Sequence, residues 1–370
     1  MPARTWHPPA HGAVGVVCAL LATAPALANP TFQTYGRSFR PIQMPTIPPG
    51  SFSVLGDALP DGRILAVTGN SVFLESTSGS GLFDAVAEFD PALTGGTVDP
   101  SFVRLSPDGQ HVAVGTGFAK PLAVFDIDAL GTPGSPTTLA DGANATYFHV
   151  DHFDAAWADS TRLAITAGTF RQPSVVTLLD TTSDPLAPSN PAIIEGIGGA
   201  SAGIAFDSAG RLYTGNGFAG SGPSGTGWIK AFDPALWTAG PADFEQDGRF
   251  VADVLSSATL RFDGVGNLFV GGGDFGESDT GYLAVLESSR VMLAAEGGPA
   301  IDRSDPGQVR RLDPRGDGLG FFLSGFNGVT GELYVMDGQT WYATVPSPTG
   351  TPVLLLATSG YFAWRRRRVG

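Results

Sequence analysis

The feature that most constrains the fold of this chain is an internal repeat of roughly fifty residues. Each copy contains a short apolar segment, a turn with Asp, Gly or Ser, a second apolar segment and a loop that holds a Phe. A further apolar segment follows each loop, and two of these end in the same string, Phe-Asp-Pro-Ala-Leu, at 89–93 and 232–236. Six copies can be recognised, and their loop phenylalanines are Phe73, Phe118, Phe170, Phe218, Phe275 and Phe326.

Several short strands in each repeat, with no long amphipathic helix, are typical of a β-propeller, in which every repeat forms one blade. The sequence therefore predicts an all-β fold, a propeller with six blades, in which closure of the ring protects the sheet edges. The segment Phe32–Met44 supplies either a strand that closes the ring or part of a seventh blade, which is the alternative. A pair of β-sandwiches would not produce six near-equal repeats. The pattern Leu105-Ser106-Pro107-Asp108-Gly109 before a strand resembles the YVTN-type and WD-repeat-like surface propellers.

The N-terminal residues 1–28 read as a secretory signal peptide. Arg4 supplies positive charge, Ala13–Ala24 is almost wholly apolar, and Ala26-Leu27-Ala28 has the small-x-small pattern of a cleavage site. We expect the mature protein to begin near Asn29. An uncleaved anchor is the alternative, but the apolar run is short for a bilayer span of about 20 residues. The single cysteine, Cys18, would leave with the signal peptide, so the mature chain would form no disulfide.

The C-terminal residues 345–370 read as a membrane-directed tail in three parts. An extended segment, Val345-Pro346-Ser347-Pro348, comes first, because proline resists helix. An apolar run, Val353–Trp364, follows as a short transmembrane helix. The basic stop Arg365, Arg366, Arg367 and Arg368 would stay on the cytoplasmic side of the membrane. A plain tail anchor is the alternative interpretation. The propeller domain is therefore expected to occupy residues 29–344.

This order of Pro-x-Pro, short apolar helix and terminal arginine cluster resembles the PEP-CTERM sorting signal. Ser347 stands where that family has a glutamate. The resemblance implies processing by an exosortase-type enzyme near Val345–Pro348. It also implies transient insertion in the inner membrane, followed by release to the cell surface or extracellular matrix. It covers only the tail and implies nothing about the propeller itself.

The charge balance restricts the partners. The chain has 35 acidic and 21 basic residues, for a formal net charge of -14. Such a surface repels phosphate backbones, so we expect no nucleic-acid binding. An acidic surface suits an extracellular protein and is compatible with bound hard cations.

Two sets of residues are candidates for a ligand site. Equivalent loops of a propeller lie on one face, so the loop phenylalanines could offer aromatic surface to a ligand such as a sugar. The alternative is that each ring packs between blades, as residues that recur in every blade usually do. The candidate ligand face comprises Phe118, Phe170, Phe218, Phe275 and Phe326.

The second set is the polar cluster His149, Asp151, His152 and Asp154. Its imidazoles and carboxylates could hold a transition metal or serve as a general base. Strand alternation, however, would place His149 and Asp151 on one face and the other two on the opposite face. A structural role is therefore the alternative. Acidic turns could also bind Ca²⁺ through oxygen ligands, although Asp in a turn is ordinary turn chemistry. These residues are Asp263, Asp274, Glu277, Asp279, Asp313 and Asp317.

These observations favour a non-catalytic, surface-sorted propeller that binds or scaffolds in the cell envelope or exopolysaccharide matrix. Its partner would be a polysaccharide or an envelope protein, and no cofactor is required beyond an optional Ca²⁺ or transition metal. The alternative is an extracellular propeller hydrolase, lyase or lactonase with a metal near the channel mouth. A redox propeller with haem or quinone is disfavoured, since the sequence has no Cys-x-x-Cys-His motif.

Overall fold

A computed structural model describes residues 35–167, 173–198, 201–216, 227–254, 256–272, 282–312, 321–337 and 340–346. The strands of the first part are β1 (Tyr35–Ile42), β2 (Leu55–Ala58), β3 (Ile64–Thr68), β4 (Ser71–Glu75), β5 (Phe83–Phe89), β6 (Phe102–Leu105), β7 (His111–Gly115), β8 (Leu122–Asp126), β9 (Thr137–Leu139) and β10 (Ala145–Phe148). The strands of the middle part are β11 (Ala155–Trp157), β12 (Arg162–Thr166), β13 (Ser174–Asp180), β14 (Ala192–Ile197), β15 (Ser201–Phe206), β16 (Leu212–Asn216), β17 (Gly227–Phe232), β18 (Ala242–Asp243) and β19 (Arg249–Val254).

The strands of the last part are β20 (Thr259–Phe262), β21 (Leu268–Gly272), β22 (Tyr282–Leu286), β23 (Val309–Arg311), β24 (Phe321–Asn327), β25 (Glu332–Asp337) and β26 (Thr340–Pro346). Short helices interrupt the strands: α1 (Pro91–Thr94), α2 (Pro234–Ala239), α3 (Ser288–Ala295) and a 3₁₀ turn at Ile127–Ala129. Over the described ranges, none of these helices is long and apolar enough to cross a membrane.

The strands form six blades around a central axis. From the inside outwards the blades are β2-β3-β4-β5, β6-β7-β8-β10, β11-β12-β13-β14, β15-β16-β17-β19, β20-β21-β22-β23 and β24-β25-β26-β1. The inner strand of each blade contacts the inner strands of the blades on both sides, and β24 of blade 6 contacts β2 of blade 1. The ring is closed, which confirms the prediction of a six-bladed all-β propeller.

The closing strand comes from the N-terminal part of the chain. β1 pairs antiparallel with β26, with Tyr35 opposite Pro346 and Ile42 opposite Trp341. Within the segment Phe32–Met44, the strand Tyr35–Ile42 therefore closes the ring and does not start a seventh blade. β26 continues through Pro346, so the first half of the expected sorting motif belongs to blade 6. The expected signal peptide, residues 1–28, and the expected tail from Ser347 onwards lie outside the described residues.

The local sequence explains why the repeat folds into hairpins, as the β6–β7 turn illustrates. Gly109 has φ +72°, which glycine adopts without strain, and the Asp108 carboxylate accepts from the N–H of Gln110 at 3.0 Å. The Ser106 N–H then donates to the His111 carbonyl at 2.8 Å, which starts the strand ladder. The second strands β3 and β7 are buried between blades apart from His111 at the start of β7, and their central residues are accordingly apolar.

Connections between the third and fourth strands tie several blades to the preceding blade. β9, from the connection in blade 2, pairs parallel with β5 of blade 1, and β18 pairs in the same way with β14 of blade 3. A single β-bridge between Ile301 and Ala252 ties blade 5 to blade 4. Blades 2 and 3 are joined differently, by side chains of their inner strands.

In the first and last sequence repeats, the predicted strand order differs from the structure by one strand. Phe73 lies in β4 and not in a loop, because β3 and β4 are joined by a two-residue turn at Gly69 and Asn70. At the other end, Val309–Arg311 is the outer strand of blade 5, and Phe321–Asn327 is the inner strand of blade 6. An apolar segment, a turn and another apolar segment look alike wherever they occur in a blade, so the pattern does not identify strand order.

The repeated string Phe-Asp-Pro-Ala-Leu is also not a blade-equivalent position. Phe89 ends the fourth strand of blade 1, whereas Phe232 ends the third strand of blade 4. In both copies the Asp is the N-cap of a short helix and the Pro is in its first turn. In both places the string therefore marks the end of a strand and the start of a short helix.

Candidate functional site

One face of the ring collects the segments that the sequence singled out. Inner strands start at this face, because the connections between blades and the turns between second and third strands both lie there. We call it the upper face. In the described residues it includes the blade-to-blade connections 43–54, 90–101 and 149–154 and the loop 116–121.

Two phenylalanines on the upper face are strongly exposed. Phe52 is 73% exposed and Phe118 is 59% exposed, whereas most of the other aromatic rings in the described residues are buried. We call them the aromatic pair. The sequence places Phe118 in a loop and leaves open whether its ring is exposed or packs between blades. Phe52 was missed, since the run Phe52–Val54 reads as an inner strand. In the structure that strand starts only at Leu55.

Asp99 holds both halves of the aromatic pair. Its Oδ1 accepts hydrogen bonds from the N–H groups of Phe52 and Ser53, each at 3.0 Å, and from the Ser53 hydroxyl at 2.8 Å. The N–H of Asp99 donates to the carbonyl of Thr116 at 3.1 Å, at the start of the loop that carries Phe118. Lys120 ends the same loop and donates from Nζ to the Thr97 carbonyl. The two rings are therefore attached to one ordered segment.

The rest of the candidate ligand face is not brought together in the described residues. Phe326 lies in β24, opposite Leu333 and towards the lower end of that strand, so it is not in an upper-face loop. The difference follows from the one-strand error in the sixth repeat. Phe170, Phe218 and Phe275 lie outside the described residues.

The cluster from His149 to Asp154 is divided into an exposed pair and a buried pair, as strand alternation suggested. The segment is the connection that enters β11; His149 and Asp151 are exposed, whereas His152 and Asp154 are buried. Within the ranges that the structure describes, no group of three or more His, Cys, Asp or Glu side chains is arranged to hold a metal ion.

His152 is a core residue. Its Nδ1 lies 3.0 Å from the Val150 carbonyl, which can only accept, so Nδ1 carries the proton. The ring packs edge-on against Phe102, with the ring centroids 5.7 Å apart. Burial lowers the pKa of His152, and the ring is therefore neutral near pH 7. Its Nε2 is buried and has no hydrogen-bond partner among the described residues.

Charged side chains of the inner strands, and of the segment that enters β11, lie close to one another. We call Asp57, Arg104, Asp154 and Arg261 the channel cluster. Arg104 of blade 2 donates from Nε to the Ala155 carbonyl at 2.9 Å and pairs through Nη2 with Oδ1 of Asp154. Asp154 Oδ2 accepts from the N–H of Ile204 in blade 4 at 3.4 Å. This carboxylate therefore connects blades 2, 3 and 4.

Asp57 completes the channel cluster from blade 1. Its Oδ1 accepts from the N–H of Ala58 at 2.9 Å, and its Oδ2 accepts from the N–H of Leu105 in blade 2 at 3.0 Å. Burial raises the pKa of Asp57 to about 6, although the Leu105 N–H and the Arg104 guanidinium act in the opposite direction. Asp57, Arg104 and Arg261 each stand third in a four-residue inner strand. A single charged residue in a short apolar segment was the sequence signal that could have revealed them.

Among the acidic residues expected to bind Ca²⁺, Asp263 is the one that lies in the described part of the structure. Its Oδ1 accepts from the N–H groups of Val265 and Asn267, and its Oδ2 accepts from the Asn267 side-chain amide at 2.7 Å. These bonds organise the β20–β21 turn and use the oxygens that a cation would need. The other acidic candidates lie outside the described residues: Asp274, Glu277, Asp279, Asp313 and Asp317.

Comparison with known proteins supports the fold. No family model matches the chain, and no curated protein matches it. A Trichoderma reesei carbohydrate-active enzyme of family AA12 is 11% identical, with a TM-score of 0.54 over 83% of this chain and 95% of that chain. The PQQ domain of Coprinopsis cinerea pyranose dehydrogenase is 13% identical, with a TM-score of 0.51 over 84% and 96%. PQQ-bound aldose sugar dehydrogenase of Streptomyces coelicolor is 13% identical, with a TM-score of 0.50 over 83% and 97%. At these identities the likeness shows the β-propeller fold alone.

Proposed function

We propose that this chain is an exported, non-catalytic propeller whose upper face binds a partner in the cell envelope or exopolysaccharide matrix. The observation that carries the proposal is the aromatic pair, Phe52 and Phe118, which is exposed on one face and held by Asp99. Rigid, exposed aromatic rings favour contact with the apolar face of a sugar ring or with an apolar protein surface. We assign polysaccharide as the partner, because a sugar face matches two flat rings on an ordered segment.

The chemistry of the polar residues supports binding over catalysis. The imidazole of His152 is buried against Phe102, and the carboxylate of Asp154 is engaged by Arg104 and by backbone N–H groups. Both side chains are buried. The hydrolase, lyase or lactonase alternative would need metal ligands from loops outside the described residues.

The path of the chain supports a defined orientation at the membrane. β26 runs away from the upper face and ends at Pro346, and β1 begins beside it at Tyr35. A membrane-directed tail that follows Pro346 would therefore leave from the lower face, with the aromatic pair pointing away from the membrane. This arrangement suits a protein that is anchored transiently, processed by an exosortase-type enzyme and presented at the cell surface.

Binding of the polysaccharide produced by the source cells tests the ligand proposal. We expect the Phe52→Ser and Phe118→Ser variants each to bind about tenfold more weakly in isothermal titration, since truncating a central aromatic contact typically costs that much. Leu186→Ser is the matched control, because Leu186 is even more exposed but lies in the β13–β14 connection on the lower face. Equal affinity of all three variants and the unchanged protein would contradict the assignment of the site.

Cell fractionation tests the sorting proposal separately. The informative truncation ends after Pro346, since an earlier stop would remove part of β26 and damage blade 6. We expect the truncated protein in the soluble exported fraction and the full chain in the membrane and surface fractions. The same distribution for both chains would contradict a sorting role for the tail.

A further inference from the structure

Three members of the channel cluster, Arg104, Asp154 and Arg261, together contain more positive than negative charge. Arg104, Asp154 and Arg261 come from three different blades, and their side chains are 6%, 2% and 12% exposed. Both guanidiniums remain protonated at any ordinary pH, whereas the single carboxylate offsets at most one of them. The group of three therefore carries at least one unbalanced positive charge in a nearly dry environment, which is unfavourable unless something compensates it.

The two arginines differ in the hydrogen bonding of their guanidinium N–H groups. Arg104 bonds to the carbonyls of Ala155 and Val103 and to the Asp154 carboxylate. Arg261 donates from Nη1 to the Leu260 carbonyl at 2.7 Å. Its Nη2 is buried, has no hydrogen-bond partner among the described residues and lies 3.9 Å from Asp154 Oδ1, which is beyond hydrogen-bond range. A buried cationic donor is thus left unfilled beside the axis.

The strands around Arg261 supply no other compensating group. β20 packs against β15, β21 and β24, and the sequences of these strands contain no titratable residue. A Cβ at Gly203 in β15 would lie 2.4 Å from Cα of Thr259, so glycine allows β15 and β20 to approach closely. This close approach brings Arg261 past blade 4 to Asp154 in blade 3.

Asp57 is the remaining acid of the channel cluster, and its ionised carboxylate brings the four residues to two positive and two negative charges. Arg104 in β6 is the charged group that faces it, and the neighbouring strands β3 and β24 have no titratable residue. Because burial raises the pKa of Asp57 to about 6, its negative charge is lost in mildly acidic solution. The channel cluster as a whole then carries a net positive charge.

We propose that the central channel binds one small monovalent anion, such as chloride, at Nη2 of Arg261. The guanidinium supplies a charge-assisted donor, and the anion supplies the negative charge that Asp154 alone does not provide. This site is independent of the aromatic pair and of the proposed surface function. Its occupancy increases when Asp57 is protonated, because the competing carboxylate charge is then absent.

Anomalous scattering from bromide tests the site directly on the full chain. In crystals equilibrated with saturating bromide, we expect one peak within hydrogen-bond distance of Arg261 Nη2. This measurement needs no variant, so it remains decisive even if changes to Arg261 impair folding. A channel without a bromide peak would overturn the proposal.

Thermal unfolding at constant ionic strength, with fluoride replaced stepwise by bromide, gives the solution test. We expect the melting temperature to rise saturably for the unchanged protein and for Arg303→Gln, but not for Arg261→Gln. Arg303 is the matched control, because its Nη1 is also buried without a hydrogen-bond partner among the described residues, 3.7 Å from Asp253 Oδ1. A rise of the same size in Arg261→Gln would show a general salt effect and refute the site.

The pH dependence of bromide binding gives a further test, because a general salt effect would not change it. We expect roughly threefold tighter bromide binding at pH 5 than at pH 7.5, because an ionised Asp57 repels the anion across the channel. Asp57→Asn should bind bromide equally at both pH values. Persistence of the pH dependence in that variant would assign it to another group and contradict the role of Asp57.

Discussion

Loss of the Asp154 carboxylate is expected to destabilise the propeller more than any other single Asp change in the described residues. Asp154 Oδ1 is engaged by Arg104 and by the Ala155 N–H, and Oδ2 accepts from Ile204 in the next blade. Asp154→Ala would leave two buried guanidiniums without their carboxylate. Removing one partner of a buried ion pair costs about 3–5 kcal/mol, and a domain has only about 5–15 kcal/mol of stability.

Urea unfolding at pH 7, followed by tryptophan fluorescence, measures this cost. Trp157 is a suitable reporter, since its Nε1 donates to the Arg104 carbonyl at 3.0 Å between blades 2 and 3. Asp126→Ala is the control, because Asp126 is exposed and its carboxylate lies 2.6 Å from Nδ1 of the partly exposed His111. We expect the control to lose less than about 1 kcal/mol, as surface pairs do. A loss below about 1 kcal/mol for Asp154→Ala would refute the view that this carboxylate holds three blades together.

Two further predictions concern the same inner strands. The folded state binds a proton at Asp57 more tightly than the unfolded chain, since burial raises its pKa from 3.8 to about 6. Stability should therefore fall by at most about 3 kcal/mol as the pH rises from 4 to above 6, and a pH series of urea midpoints should show this fall disappear in Asp57→Asn. Gly203→Ala should cost about 1–3 kcal/mol in thermal unfolding, because the new Cβ would meet backbone atoms of Thr259 and Leu260 that cannot move aside. Gly198→Ala, which has open space at its Cβ, is the control, and equal losses in both would contradict the packing argument.

The number of blades could be predicted from the sequence because the repeat is a local property. The apolar segments, the Asp-Gly turns and the spacing of Phe118 reflect short-range chemistry. Strand order within a blade is not local, which is why Phe73 and Phe326 were placed in loops although they lie in β4 and β24. The alternation of His149, Asp151, His152 and Asp154 was anticipated, since it depends only on the period of an extended chain.

The site residues that were missed depend on contacts between blades. Phe52 is exposed because its backbone is bound by Asp99, which follows it by almost one whole repeat. The channel cluster likewise joins Asp154 to Arg104 and Arg261, each about one or more repeats away. A local sequence pattern does not identify contacts between residues so far apart. A single charged residue in an apolar inner strand suggests that it has a partner, but the sequence does not show which residue the partner is.

The pairing of β1 with β26 has a consequence for the order of folding. Blades 1 to 5 are built mainly from neighbouring strands, so they can form as the chain emerges, whereas β1 finds its partner only when β26 is available. Contacts between such distant segments form slowly, because a long loop must close first. Until then β1 is an unpaired edge strand, which is a natural target for chaperones or for aggregation. The rate of this last step, rather than the stability of any blade, then sets how quickly the chain becomes a closed ring.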